Sequence, residues 1–251
     1  MQADRVALVT GATSGIGRAA ALALARDGWQ VVASGRDEAR GGDLAAELGK
    51  LQPGSRFVPC DLALPEAPRE LLDNVEAGGR LDALVYSAGV HQLADVVSMS
   101  MADFDRILTI NVRAAAELMQ RAVPLMAHNG GGVVVSVASE AGVVAIPGQV
   151  AYNTSKAALI MLTKSIAVDH AADGIRAVSV CPGTTRTPLV DDAIASAPDP
   201  RAHERMLAAS RPANRLGHVE EIAEVIAFAV RDDVAYMTGT ELVIDGGYTA
   251  R

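Results

Sequence analysis

Cysteine is scarce in this sequence, and that excludes two kinds of structure. Its 251 residues include only Cys60 and Cys181, whereas a disulfide framework or a thiolate metal site needs more cysteines at shorter spacing. The five histidines show no metal-ligand spacing either. We therefore expect no metal site, and the low cysteine content is consistent with a reducing compartment.

Clustered positive charge and long apolar runs are also missing. The net charge is −8 without any basic cluster, which argues against nucleic acid or an anionic membrane as a partner. No apolar run approaches the length of about 18 residues that a membrane span requires. The first residues show no signal-peptide pattern. We expect a soluble, cytoplasmic protein.

Apolar residues are plentiful, and their pattern predicts the fold. Half of the chain is apolar and 21% is charged, enough for a large core. Short β-branched runs alternate with helical patterns, without a linker or an internal repeat. Strands are predicted at 5–10, 30–34, 55–60, 81–86, 133–137, 175–181 and 240–244. Helices are predicted at 18–26, 38–48, 65–77, 101–126, 151–171 and 219–230. This order indicates one α/β domain over residues 1–251, a doubly wound parallel sheet with its ligand at the carboxyl ends of the strands.

A glycine-rich turn follows the first strand. Gly11, Gly15 and Gly17 lie between strand 5–10 and helix 18–26. In this context backbone N–H groups and a helix N-terminus hold a pyrophosphate. The spacing differs from the G-x-G-x-x-G fingerprint, and an ordinary glycine-rich turn is the alternative. We interpret it as a dinucleotide-binding turn.

The end of the second strand bears on the choice of cofactor. An acid at this position takes the ribose hydroxyls, whereas an arginine accommodates a 2′-phosphate. Here Gly35 is followed by Arg36, which favours NADP(H) and leaves NAD(H) possible. Asp37 is predicted to cap the next helix. Asp61 and Leu62 are predicted to border the adenine.

Candidate catalytic groups lie between Ser139 and Lys156. Tyr152 and Lys156 are four residues apart, so on a helix they share one face. A nearby ammonium group favours the phenolate, which makes Tyr152 a candidate acid or base. Ser139 offers a hydroxyl to a substrate oxygen. Asn111 is an unusual residue for the middle of a predicted helix.

Taken together, these motifs resemble the short-chain dehydrogenase/reductase family over essentially the whole chain. The matching segments, in order, are Thr10-Gly11 with Gly15-Ile16-Gly17, Ser87-Ala88-Gly89, the set Asn111, Ser139, Tyr152 and Lys156, then Pro182-Gly183 with Thr187, and Asp245-Gly246-Gly247. The chain departs from the family pattern at Tyr86-Ser87, where two asparagines are common, at Thr185, and at Ser14.

The resemblance implies a role for each catalytic candidate. Tyr152 would exchange a proton with the substrate oxygen, and Lys156 would bind the nicotinamide ribose and depress the pKa of Tyr152. Ser139 would hold the substrate oxygen, and Asn111 would position a water. The cofactor contacts implied are Gly11, Ser14, Gly15, Ile16, Gly17, Arg36, Asp61, Leu62, Ser87, Ala88, Gly89, Tyr152, Lys156, Pro182, Gly183, Thr185 and Thr187.

The implied activity is NAD(P)(H)-dependent interconversion of a secondary alcohol and a ketone. The specific reaction stays open between a 3-oxoacyl-thioester reductase and a dehydrogenase of sugars or hydroxy acids. Arg186 or Arg201 could meet a carboxylate, although the neutral Gln149 disfavours an anionic substrate. His91 is expected to be an exposed loop residue. A non-catalytic nucleotide-binding regulator is disfavoured, because Ser139, Tyr152 and Lys156 are all present.

Two expectations concern parts outside the sheet. Residues 188–215 interrupt the strand–helix rhythm and are predicted to form a substrate lid. The family resemblance implies a homotetramer. Its apolar support on the Tyr152 helix is the run Leu159, Ile160, Met161 and Leu162.

Overall fold

A computed structural model describes residues 5–250 and has a parallel β-sheet at its centre. Its strands are β1 Val6–Thr10, β2 Gln30–Gly35, β3 Arg56–Pro59, β4 Ala83–Tyr86, β5 Gly132–Val137, β6 Ile175–Pro182 and β9 Glu241–Ile244. They are ordered β3-β2-β1-β4-β5-β6-β9, and each neighbouring pair is parallel. Two short strands, β7 Thr185–Arg186 and β8 Gly217–His218, pair separately. The predicted doubly wound sheet is confirmed.

Helices cover both faces of this sheet. They are α1 Gly15–Arg26, α2 Glu38–Leu51, α3 Ala67–Glu76, α4 Met101–Leu108, α5 Ala114–His128, α6 Val150–Asp169, α7 Pro188–Ala195, α8 Pro200–Ala209 and α9 Val219–Ala229. One core contains side chains of α1, α2 and α9, and the other contains side chains of α3, α5 and α6. The sheet is therefore the middle layer of three.

Burial on both faces explains why the strands read as continuous apolar runs. In β1, Ala7 and Val9 contribute to one core, whereas Val6 and Leu8 contribute to the other. Successive side chains of a strand point to opposite faces, so each face of a covered sheet needs apolar residues. This arrangement distinguishes β1 from a strand with one wet face.

The strand order determines where a ligand can bind. The chain moves from β1 outward through β2 to β3, then crosses to β4 on the other side of β1. The helices that follow β1 and β4 lie on opposite faces, which opens a crevice at the carboxyl ends of these strands. Gly11 and Ser87 come directly after them. The predicted nucleotide turn thus lies at the switch point of the sheet.

The prediction of a single helix over 101–126 is wrong in one respect. It is interrupted by a π-helical turn at Thr109–Arg113, between α4 and α5. Asn111 lies in this turn, and its side-chain amide bonds the backbone of Val90 instead of a neighbouring helical turn. Such a turn inserts an extra residue into the helix and commonly marks a functional position.

The remaining boundaries lie close to those predicted. Asp37 caps α2, as expected, by accepting a hydrogen bond of 3.0 Å from the Arg40 N–H. The region 188–215, predicted as a lid, contains the two helices α7 and α8. Between residues 5 and 250, no helix is both long and apolar enough to cross a membrane.

Candidate active site

One cavity of about 930 Å³ runs along the carboxyl edge of the sheet. It collects on its wall all of the residues predicted to contact a cofactor, from Gly11 in the first turn to Thr187 before α7. Ser139, Tyr152 and Lys156 line the same cavity. The sequence motifs therefore converge on one site, although they are spread over about 175 positions of the chain.

The glycine-rich turn has the shape required for a pyrophosphate. Gly11 and Gly15 have positive φ angles of 64° and 53°, a region that favours glycine. A Cβ on Gly11 would approach the Cα of Ala88 to 2.8 Å, and one on Gly17 would overlap the carbonyl oxygen of Gly11. The helix α1 begins at Gly15 and directs its first N–H groups, which have no partner within the helix, toward the cavity. The turn thus fits an anionic ligand.

The turn is also anchored to the neighbouring strand. The Thr10 hydroxyl accepts hydrogen bonds of 3.2 Å from the N–H groups of Ser87 and Ala88. The unusual Tyr86 is fully buried, and its hydroxyl donates to the carbonyl of Ile110. These contacts join β1, β4 and the π-helical turn where the family more often has asparagines. The departure at Tyr86-Ser87 is therefore accommodated within the core.

Two arginines lie at the outer end of the cavity. Arg36 and Arg40 both line it beside Gly35. The Asp37 carboxylate pairs with the Arg40 guanidinium at 3.2 Å and caps α2. Asp61 and Leu62 line the wall next to them. This end of the cavity therefore carries two guanidinium groups on its wall.

Tyr152 occupies the first turn of α6 at the inner end of the cavity. Burial raises the pKa of its phenol to about 12, a hydrogen bond with Ser139 lowers it, and the charge of Glu140 raises it further. The expectation that Lys156 depresses this pKa stays a prediction. Loss of hydration dominates, and the ammonium nitrogen lies 5.6 Å from the centre of the phenol ring. Tyr152 is therefore a protonated phenol at neutral pH.

Lys156 lies one turn further along α6 and is buried. Its Nζ donates a hydrogen bond of 2.8 Å to the carbonyl of Val137 at the end of β5. Burial lowers the pKa of this ammonium group to about 8. The backbone of Gly89 lies against it, because a Cβ there would come within 3.5 Å of Nζ. Lys156 thus ties α6 to two strand ends.

Asn111 is not on the cavity wall, unlike the other three catalytic candidates. It is fully buried. Its amide donates to the Val90 carbonyl and the Ser155 hydroxyl at 2.9 and 3.0 Å, and its Oδ1 accepts from the Val90 N–H at 2.8 Å. Both amide hydrogens are used within the protein, so the residue joins the π-helical turn to α6 and to the segment after Gly89.

Ser139 follows β5 with an extended backbone. Its Oγ accepts a hydrogen bond of 3.1 Å from the N–H of Ala141, and it interacts with the Tyr152 phenol. Ser136, three residues earlier, is fully buried and accepts a hydrogen bond of 2.7 Å from Thr163. Ser136 is therefore held within the core, and Ser139 is the serine hydroxyl that interacts with Tyr152.

Sequence reasoning missed a buried ion pair beside Ser139. Glu140 and Arg211 pair at 2.5 Å, and each side chain is only 4% exposed. The guanidinium also bonds Thr184 and the carbonyl of Leu207. Burial raises the pKa of Glu140 to about 7, against the lowering effect of Arg211. Neither residue belongs to a recognisable motif, and 71 positions separate them, so nothing in the sequence joins them.

The inner end of the cavity is walled mainly by apolar side chains. Helices α7 and α8 contribute to it, and so do the segments after Gly89 and before α6. The lining residues of this end are His91, Leu93, Ile146, Gln149, Leu189, Val190, Ala193, His203 and Leu207. The prediction of an exposed His91 is wrong, because its ring is half-buried and packs edge-on against the Tyr152 ring at 4.7 Å.

Neither of the arginines considered for a carboxylate is directed into this end. Arg186 forms ion pairs with Asp191 and Glu204 on the outside of α7 and α8, and Arg201 is exposed and does not line the cavity. In the chain from residue 5 to 250, no group of histidine, cysteine and acidic side chains could hold a metal ion.

Comparison with known proteins identifies the family. A family model described as enoyl-(acyl carrier protein) reductase matches residues 11–249. The chain belongs to the short-chain dehydrogenase/reductase family. An oxidoreductase of Thermotoga maritima is 39% identical over 246 residues, which cover 98% of both chains. D-threitol dehydrogenase of Mycolicibacterium smegmatis is 36% identical over 98% of this chain and 94% of its own.

Solved structures of family members share the same fold. L-sorbose reductase from Gluconobacter frateurii, solved with NADPH and L-sorbose, has a TM-score of 0.93 at 28% identity, with 99% and 97% of the two chains covered. Levodione reductase also reaches 0.93, at 29% identity over 98% of each chain. The protein is an NAD(P)-dependent oxidoreductase that interconverts alcohols and ketones.

Proposed function

We propose that the enzyme uses NADP(H) and acts on a small uncharged ketone or secondary alcohol, with Tyr152 as its acid and base. The observation that carries this proposal is the convergence of Tyr152, Ser139 and Lys156 at the inner end of the cavity. The tyrosine and serine hydroxyls interact, so one substrate oxygen can contact both.

Each residue has a distinct task in this scheme. Tyr152, a neutral phenol before reduction, donates its proton to the carbonyl oxygen and becomes the phenolate, and in the oxidation direction this phenolate accepts the proton of the alcohol. The Ser139 hydroxyl holds the same oxygen. Lys156 supplies positive charge beside the phenolate and binds the nicotinamide ribose. The nicotinamide supplies or takes up the hydride when bound.

Preference for NADP(H) is supported by the outer end of the cavity. Strand β2 ends in Gly35 rather than an acid, and Arg36 and Arg40 line the wall that follows. A guanidinium binds phosphate oxygens in a bidentate manner and carries its charge at every physiological pH. The related L-sorbose reductase was solved with NADPH, which agrees with this preference.

An uncharged substrate is supported by the inner end. Arg186, one of the two arginines considered for a carboxylate, is already paired with Asp191 and Glu204. The polar groups that do line this end include the neutral Gln149. A sugar or polyol fits these walls better than a hydroxy acid. The related D-threitol dehydrogenase and L-sorbose reductase act on molecules of this class. The 3-oxoacyl-thioester alternative remains for substrate screening.

Three further predictions stay open to test. Helices α7 and α8 are proposed to form a lid, because Leu189 and Leu207 line the cavity from them. A homotetramer is supported by exposed Met161 and Val168 on α6. Leu159 and Ile160, counted toward that surface from the sequence, instead pack in the core. A cytoplasmic location remains a prediction.

The first test is cofactor binding followed by turnover. NADPH and NADH are titrated into the protein by fluorescence at one ionic strength, and NADPH oxidation is then followed with small neutral ketones. We expect tighter binding of NADPH, and turnover that depends on the ketone. Equal or weaker binding of NADPH would contradict the proposed preference. Tight binding without turnover of any alcohol or ketone would contradict the catalytic proposal.

A further inference from the structure

A second polar group lies beside Tyr152, and the catalytic scheme does not use it. The His91 ring is half-buried in the cavity wall, with its centre 4.7 Å from that of the Tyr152 ring and the ring planes at 82°. Ser139 and Tyr152 already account for the reacting oxygen. The walls around His91 include the apolar residues Leu93 and Ile146.

The position of His91 is fixed by the beginning of α6. Residues 91–94 run beside residues 148–150, where the Ala94 N–H donates to the Gly148 carbonyl at 2.8 Å and the Val150 N–H to the Ala94 carbonyl at 3.3 Å. The Gln149 side chain lies close to the His91 ring and acts to raise the pKa of the imidazole. Since Tyr152 lies one turn along the same helix, the imidazole, the amide and the phenol form one preorganised group.

The chemistry of this pair indicates what it can bind. Burial lowers the pKa of His91, so the ring is neutral at physiological pH and has one donor nitrogen and one acceptor nitrogen. The ring nitrogens and the Gln149 amide can exchange hydrogen bonds with a hydroxyl group, but they carry no charge to attract a carboxylate.

We propose that His91 and Gln149 bind a second, uncharged oxygen of the substrate, on a carbon close to the one that reacts. The preferred substrates would then be hydroxy ketones and polyols rather than simple ketones and alcohols. This inference rests on the proposed function, because it places the reacting oxygen at Tyr152 and Ser139. It makes His91 a specificity-determining residue.

Matched ketones test the inference directly. Dihydroxyacetone and acetone share one carbon skeleton, as do acetoin and butanone, and only the first of each pair has a hydroxyl next to the carbonyl. NADPH oxidation gives kcat/KM for all four. In the unmodified enzyme we expect the hydroxylated ketone of each pair to be preferred by about tenfold to hundredfold, because a site that bonds a hydroxyl rejects the analogue without it.

Two substitutions at His91 separate recognition from packing. His91→Leu removes the hydrogen bonds of the imidazole ring. We expect the kcat/KM preference for the hydroxylated ketone of each pair to fall to about threefold or less. His91→Asn keeps a donor and an acceptor, and we expect part of the preference to return. Ile146→Ala, on the same wall, is the matched control and should change the two ketones of a pair alike.

A binding readout that needs no turnover completes the test. In the non-productive complex with NADP⁺, dihydroxyacetone is expected to shift the NMR signal of the His91 side chain, whereas acetone leaves it in place. The inference is overturned if the unmodified enzyme shows no preference within either pair, or if His91→Leu lowers both ketones equally. In either case turnover of the ketones would leave the proposed function intact. Failure of all four ketones, despite NADPH binding, would count against both.

Discussion

The outer end of the cavity, or cofactor end, and the inner end, or substrate end, are held in place in different ways. The cofactor end is made of strand termini and tight turns, and the first helix beside it, α1, buries Ala20, Ala21 and Leu24 completely. The substrate end is covered by α7 and α8. Among the residues described for these two helices, only Ile194 is buried.

Because of this difference, substitutions at the cofactor end cost more stability than substitutions at the substrate end. Changes at the cofactor end disturb the core, since glycines there pack backbone against backbone. Leu93 and Leu189 at the substrate end are 70% and 61% exposed, so their replacement costs little stability. Substrate specificity can therefore vary in this fold while the cofactor site stays the same.

The first prediction concerns Tyr152, where the two ends meet. Tyr152→Phe removes the proton donor but keeps the ring that packs against His91. We expect kcat to fall by roughly 10²–10⁴-fold, while NADPH affinity stays within about twofold because the cofactor end is untouched. Steady-state kinetics and a cofactor titration measure the two quantities.

A comparison variant shows whether the loss is specific to the hydroxyl. Asn153→Ala alters the next residue of α6, whose side chain does not line the cavity and donates to the Ile146 backbone carbonyl. It should retain far more activity than Tyr152→Phe. If Tyr152→Phe keeps most of its kcat, Tyr152 is not the acid or base.

The second prediction concerns the Glu140–Arg211 pair, which links the two ends. Arg211 follows α8, and Glu140 follows Ser139. Arg211→Met leaves a buried carboxylate without its counter-charge, so we expect a loss of about 3–5 kcal/mol in the free energy of unfolding at pH 8. Denaturant unfolding at pH 8 and pH 5 measures it.

Arg211→Met should lower the free energy of unfolding by less at pH 5, because Glu140 is protonated there. Its pKa is raised to about 7 in the folded protein, whereas an unfolded glutamate titrates near pH ~4.3. Between these values the folded state binds the extra proton, so the contribution of Glu140 to stability is greatest at low pH and is lost as the pH rises through 7. Equal losses at both pH values would mean that Arg211 acts through packing alone. The double variant Glu140→Gln with Arg211→Met should recover much of the stability at pH 8.

The sequence predicts the cofactor end of the cavity better than the substrate end. The strands, the glycine-rich turn and the positions of Tyr152 and Lys156 depend on local patterns of two to seven residues, and the structure confirms their placement. The π-helical turn at Asn111 could not be predicted, because it depends on the backbone of Val90, which lies 21 positions away. Helical periodicity alone cannot show that an asparagine will bond outside its helix.

The substrate end was the least predictable part. His91 was expected in solvent because a loop histidine usually lies there. Its burial depends on contacts between distant segments: Ala94 pairs with Gln149 at the start of α6, and the His91 ring packs edge-on against Tyr152. The raised pKa of Tyr152 was missed for a related reason. Charge proximity can be inferred from a spacing of four residues, whereas loss of hydration depends on everything packed around the ring.

The third and smallest effect is predicted at the outer rim of the cofactor end. Arg36 is exposed at the cavity wall, so Arg36→Asp should leave the fold unchanged. The introduced carboxylate would repel a 2′-phosphate and accept hydrogen bonds from ribose hydroxyls. We expect the ratio of NADPH to NADH affinity to fall by about tenfold to hundredfold, the range of one to two charge-assisted hydrogen bonds.

Lys50→Asp makes the same change of charge at the far end of α2 and should leave the ratio nearly constant. If the ratio is unchanged in Arg36→Asp as well, Arg36 points to solvent, and Arg40 becomes the remaining cation for the phosphate.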